Sequence, residues 1–124
     1  MPRRTRARRL KGFWRLSPKA YAETDMFSHI VVLWADPAQP AAADKLVEAA
    51  NRLLPGIPGV IEFHAGKMVG SPRPVVEQTY SVALNVIFAN KEAEAAYQTH
   101  PQHVEFVTNF VKPLVKKVLV YDFA

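Results

Sequence analysis

The reactive side chains of this chain carry nitrogen and oxygen only, because it holds 4 histidines and no cysteine. Disulfides, thiol nucleophiles and thiolate metal sites are excluded together, and a reducing compartment suits such a chain. Two of the histidines lie close to a tyrosine in the run Tyr97-Gln98-Thr99-His100-Pro101-Gln102-His103. An imidazole can take or return a proton near neutral pH, and a phenol can donate a hydrogen bond to an oxygen that gains charge. Pro101 suits the first position of a helix, which puts His103 in the first turn. The positive end of the helix dipole there disfavours imidazolium and keeps the ring neutral and basic. A structural reading stands beside this one, in which His100 caps the helix while His103 and Tyr97 form a buried hydrogen-bonded pair joining two helices.

Other kinds of site find less in the sequence. His100 and His103 stand three apart, but no cysteine or suitable carboxylate completes a ligand set, so no metal site is expected. His29, on a strand facing the helices, reads as a hydrogen-bonded core histidine. His64 faces the other side of its strand, and Trp34 and Met68 read as packing residues. Glu94 and Glu105 read as solvated charges on helix faces. No glycine-rich phosphate loop, G-x-S-x-G elbow or paired acid dyad is present.

The elements that must position these residues follow from hydrophobic period and from breakers. Phe27 to Ala35 is a β-branched and aromatic run closed by Asp36-Pro37, which predicts a strand. Ala41 to Leu54 carries Leu46, Val47, Ala50, Leu53 and Leu54 on one helical stripe. Pro55-Gly56-Ile57-Pro58-Gly59 breaks the chain before a second strand, Val60 to Met68. After the loop Gly70 to Pro74, Gln78 to Phe88 alternates through Tyr80, Val82, Leu84, Val86 and Phe88 as a third strand. Asn90 can cap a helix through Ala93, Ala96 and Tyr97. His100-Pro101 interrupts it and opens another with the stripe Val104, Val107, Val111 and Leu114. Lys117 to Phe123 is the last strand.

The order β-α-β-β-α-β predicts a ferredoxin-like α+β fold, with a four-stranded antiparallel sheet and both helices on one face. Alternation puts His29, Val31 and Leu33 on one side of the first strand and Ile30, Val32 and Trp34 on the other. In the last strand it separates Leu119, Tyr121 and Phe123 from Val118 and Val120. Both sides of both strands are therefore apolar, whereas a sheet with one solvated face alternates apolar and polar residues. A second copy of the sheet is the simplest cover for the exposed side, so a homodimer is expected.

With 49% hydrophobic and 22% charged residues over 124 positions, the chain has the composition of one soluble domain. No apolar run reaches the roughly 18 residues of a membrane span, and the cytoplasm is the expected location. The formal charge of +5 is concentrated at the start. Residues 1–25 hold eight Lys and Arg against Glu23 and Asp25, while 26–124 hold eight basic and nine acidic residues. Nucleic acid is therefore not an expected partner of the domain at 26–124. Residues 1–25 are expected to form a disordered basic extension, or to precede a true start at Met26. An organelle transit segment and a polyanion-binding arm are the other readings.

From Phe27 to about Phe123 the chain resembles the Dabb family, the stress-responsive dimeric α/β barrel proteins. The resemblance is carried by Phe27-Ser28-His29-Ile30-Val31, by Ile57-Pro58-Gly59-Val60 with Gly66, by the pattern from Tyr97 through His100-Pro101 and His103 to Phe106, and by Tyr121-Asp122-Phe123. It implies two ferredoxin-like subunits packed sheet to sheet into a barrel. A relative in that family, the plant olivetolic acid cyclase, performs an aldol-type ring closure without metal or redox cofactor. The positions matching its base and hydroxyl partner are His103 and Tyr97, and its strand-one pocket histidine matches His29. A further pocket histidine of that enzyme falls on Val82, so the same substrate is not implied.

The resulting expectation is a pocket between sheet and helices for a small apolar or carbonyl-containing molecule. Its lining is expected from His29, Val31, Leu33, Leu46, Val47, Phe63, Val82, Leu84, Tyr97, His103, Phe106 and Leu119. A cofactor-free lyase or cyclase with His103 as base and Tyr97 as oxyanion donor fits those residues. A cofactor-independent monooxygenase or haem-handling protein and a non-catalytic oligomeric stress protein are the alternatives.

Overall fold

Residues 26–124 are described in the computed structural model, and the basic segment 1–25 lies outside the described residues. Strand β1 (Phe27–Ala35) is rich in residues that suit an extended, half-buried surface. Helix α1 (Ala42–Leu53) buries Leu46, Ala49, Ala50 and Leu53, three or four residues apart, as one stripe. The chain then turns at Gly59 into β2 (Val60–Lys67). Gly59 has φ +95°, and a Cβ there would stand 2.8 Å from that of Ala93, so backbone conformation and close approach both demand glycine.

Strand β3 (Val82–Phe88) buries Val82, Leu84, Val86 and Phe88 in alternation. Helix α2 (Lys91–Thr99) begins where the Asn90 side chain accepts a hydrogen bond from the Ala93 N–H at 2.9 Å. Helix α3 (Pro101–Phe106) follows the break at His100, continues as a π-helical turn (Val107–Val111) and a last turn (Lys112–Leu114), and leads into β4 (Val115–Phe123). The strands lie in the order β2-β3-β1-β4, each antiparallel to its neighbour, as a ferredoxin-like sheet requires.

Four features depart from expectation. The third strand starts at Val82 rather than Gln78, because Tyr80 packs edge-on against Trp34 on the outer face and breaks the alternation. Val104 is 48% exposed, while Phe106 is buried and Phe110 packs on the core, so the stripe after Pro101 lies beside the expected one. In the π-helical turn the Lys112 N–H reaches the Val107 carbonyl five residues back. Pro113 has no N–H, and its ring would crowd the carbonyl four residues earlier in a regular α-helix; the wider turn relieves this.

The fourth departure concerns Leu119. Pairing sets Leu33 against Val118, Val31 against Val120 and His29 against Asp122, so these β4 residues share the helix-covered face. Leu119 stands opposite Val32 and Tyr121 opposite Ile30, on the outer face with Trp34. Leu119 is thus no part of the inner pocket; a strand apolar on both sides carries no signal for which side faces in. The outer face is a broad apolar surface that no described helix covers, with Leu119 38% and Tyr121 55% exposed. Among the described residues no helix is long and apolar enough to cross a membrane.

Candidate functional site

Between the sheet and the helices following β3 lies a cavity of about 230 Å³. β1 contributes His29, Val31 and Leu33, β3 contributes Leu84, and β4 contributes Val118 and Val120. Tyr97 and Gln98 come from α2, His103 and Phe106 from α3, and Val107 and Val111 from the π-helical turn. The walls are apolar, and the polar groups converge at the end where α2 meets α3.

The break at His100-Pro101 creates that end. His100 Nδ1 accepts from the Gln102 N–H at 3.1 Å, so His100 caps α3 as the structural reading expected. Ending α2 there frees the Gln98 carbonyl of its final turn, one of the groups that a helix terminus leaves without an intrahelical partner. His103 Nδ1 lies 3.0 Å from that oxygen. A carbonyl only accepts, so the Nδ1 carries the proton and donates it. The Nε2 of the neutral ring is then a lone pair, free to accept. Burial holds the His103 pKa below its ordinary value of 6.5, and the neighbouring His29 acts in the same direction; the Gln98 carbonyl and Glu94 oppose them.

Tyr97 is fully buried, its ring 4.9 Å from Phe88 and 4.6 Å from His103, centroid to centroid. The pair is a ring contact and not a hydrogen bond, since the His103 Nδ1 is spent on Gln98. Among the described residues the Tyr97 hydroxyl makes no hydrogen bond to protein. Burial and then the Glu94 charge push its pKa well above the ordinary phenol value, so it stays a protonated donor.

His29 is buried, and its Nδ1 faces two carboxylates, Asp122 Oδ1 at 2.6 Å and Glu94 Oε2 at 3.8 Å. The expected hydrogen-bonded core histidine is thus present, with an acidic surrounding that its strand did not announce. Glu94 is no solvated surface charge: its side chain is 13% exposed, turned inward, and accepts from Gln98 Nε2 at 2.6 Å. It lies three and four residues before Tyr97 and Gln98, which puts all three on one helix face.

Of the residues expected in the pocket, His29, Val31, Leu33, Leu84, Tyr97, His103 and Phe106 border the cavity. Leu46 and Val82 are fully buried in the core, and Val47 and Phe63 pack against that core without lining the cavity. Gln98, Val107, Val111, Val118 and Val120 were missed. Val107 and Val111 sat on the expected helical stripe, and the β4 pair needed the register.

Comparison with known proteins agrees with this architecture. The stress-response A/B barrel domain-containing protein HS1 of Arabidopsis thaliana is 34% identical over 94 residues, 76% of this chain and 84% of that protein. A dimeric ferredoxin-like protein from Thermobifida fusca superposes with a TM-score of 0.68 at 20% identity, covering 80% of this chain and 90% of that one. The hydroxynitrile lyase of Passiflora edulis gives a TM-score of 0.68 at 18% identity, covering 81% and 93%. Both likenesses are of fold. Residues 27–124, the whole of the sheet and its helices, match the Stress Responsive A/B Barrel Domain, and the chain belongs to that Dabb family.

Proposed function

We propose that the chain acts as a homodimer whose inner cavities each bind a small apolar or carbonyl-containing molecule and move a proton beside its carbonyl, a cofactor-free chemistry of lyase or cyclase type. One observation carries this reading: the His103 Nδ1–H is tied to the Gln98 carbonyl, leaving Nε2 as an acceptor beside a buried phenol with no hydrogen-bond partner among the described residues. In such a step Nε2 takes the proton from the carbon next to the carbonyl, the C–H electron pair becomes the carbon–carbon π bond of an enolate while the C=O π pair moves onto oxygen, and the Tyr97 hydroxyl hydrogen-bonds that oxygen. The proton returns from Nε2 once a new bond has formed or broken.

The apolar walls favour a ligand with a hydrocarbon part, and about 230 Å³ in one subunit, below the roughly 300 Å³ where drug-sized sites begin, favours a small one. That a hydroxynitrile lyase shares the fold supports the suitability of this scaffold for such chemistry. The uncovered apolar face supports pairing, as does the dimeric description of the Thermobifida fusca protein. The test is exchange of α-protons for deuterium in a panel of small ketones and 1,3-dicarbonyl compounds, followed by NMR in D₂O. Acceleration over buffer for at least one compound supports the reading. No acceleration across the panel, with buffer-catalysed exchange measurable, contradicts it.

A further inference from the structure

We propose that His29, Glu94 and Asp122 form a site for one divalent transition-metal ion, zinc being the best match, at the polar edge of the cavity. The site is separate from the His100 and His103 pair and does not rest on the proton-transfer reading. The three residues come from β1, α2 and β4, and only the folded topology brings them together. Each offers one ligand atom, and these atoms lie within 4.8 Å of one another.

The donor set is one imidazole nitrogen and two carboxylate oxygens. Zinc accepts this set, and a site with three protein ligands keeps a fourth position for water or a small molecule. Ligand atoms about a tetrahedral zinc stand about 3.3 Å apart, given metal–ligand distances of roughly 2.0 to 2.2 Å. The His29 nitrogen lies 2.6 Å from Asp122 and 3.8 Å from Glu94, on either side of that spacing. Small side-chain rotations would even them out.

Charge is the second, independent observation. Among the described residues neither Glu94 nor Asp122 has a Lys or Arg within 4.0 Å, and the one cationic candidate for both is the same Nδ1 of His29. Even a protonated His29 leaves two carboxylates sharing one positive charge. The Asp122 side chain reaches water at 43% exposure, but His29 is 5% exposed and the Glu94 side chain 13%, so the Glu94 charge is held largely out of water, which is costly. A hydrogen bond from His29 to Asp122 accounts for Asp122 but gives no reason for Glu94 to turn inward rather than extend into solvent. A divalent ion does: it replaces the Nδ1 proton, draws in both carboxylates and neutralises them. Gln98 Nε2, on Glu94 Oε2 at 2.6 Å, is the kind of outer partner that orients a ligating carboxylate.

The experiment uses tag-free full-length protein stripped with chelator and titrated with ZnCl₂ in a calorimeter, with Co²⁺ added separately and its visible spectrum recorded. Expected are one Zn²⁺ per chain, a heat that varies with buffer ionisation because a proton is released, and the absorption bands of low-symmetry Co²⁺. Glu94→Gln and Asp122→Asn keep side-chain shape and should each weaken Zn²⁺ by at least about tenfold, while His103→Ala keeps wild-type affinity. The proposal fails if binding is not stoichiometric, if both carboxamide variants bind as the wild type does, or if His103→Ala removes binding that they retain.

Discussion

At the scale of single residues, His103 bonds the Gln98 carbonyl rather than Tyr97, and this structural role is compatible with the proposed catalytic one. Its Nδ1 closes the end of α2 by satisfying the Gln98 carbonyl, and the same bond sets the tautomer that leaves Nε2 free. His103→Ala should therefore lower stability by about 0.5 to 1.5 kcal/mol, the net worth of one hydrogen bond, as read from denaturant unfolding. Tyr97→Phe differs, since the hydroxyl has no partner among the described residues: the melting temperature should hold or rise slightly, while proton transfer falls on the order of 10²-fold. Burial also makes a pH statement. Folding depresses the His103 pKa, so the stability from its neutral form is present above the unfolded value near 6.5 and is lost as pH falls through the lower folded value. The melting-temperature gap between wild type and His103→Gln should accordingly narrow as pH falls below 6.5, and the acid limb of any activity should lie below 6.5. The Tyr97, His100 and His103 cluster was legible because the proline break fixes local geometry. Glu94 was not, because the groups it faces, His29 on β1 and Asp122 on β4, are far away in sequence.

At the scale of elements, every strand and helix was legible from period and breakers, and the misses have local causes. Strand β4 is apolar on both sides, so only its pairing with β1 reveals that Val118 and Val120 face the cavity and Leu119 does not. The π-helical turn has its cause in Pro113, yet a proline in a helix pattern is equally consistent with a kink or a stop. It bears on the site because Val107 and Val111 line the cavity from that turn. The loop before β2 makes a sharper claim. Gly59 combines a positive φ with an approach to Ala93 that leaves no room for a methyl group. Gly59→Ala should cost about 1 to 3 kcal/mol by strain and displacement of α2, measured by thermal or denaturant unfolding. An unchanged midpoint would show that the loop and α2 are less tightly set than described.

At the scale of the whole molecule, the sheet has one face under helices and one apolar face that none of the described helices covers. Ile30, Val32, Trp34, Leu119 and Tyr121 together form a surface of the kind that single chains seldom leave in water. A sheet-to-sheet pair burying about 1,600 Å² or more would cover it. Val32→Asp would then place an unpaired carboxylate in the interface and should give monomer or unfolded protein by light scattering after gel filtration. A stable dimer of that variant would put the contact elsewhere. Such pairing would leave the inner cavity open to the proposed ligand, and the most direct test of the account compares wild type with His103→Ala for both α-proton exchange and melting temperature. The account expects a folded variant, slightly less stable, whose exchange rate falls about 10²- to 10⁴-fold. A folded His103→Ala protein that exchanges at the wild-type rate would contradict it.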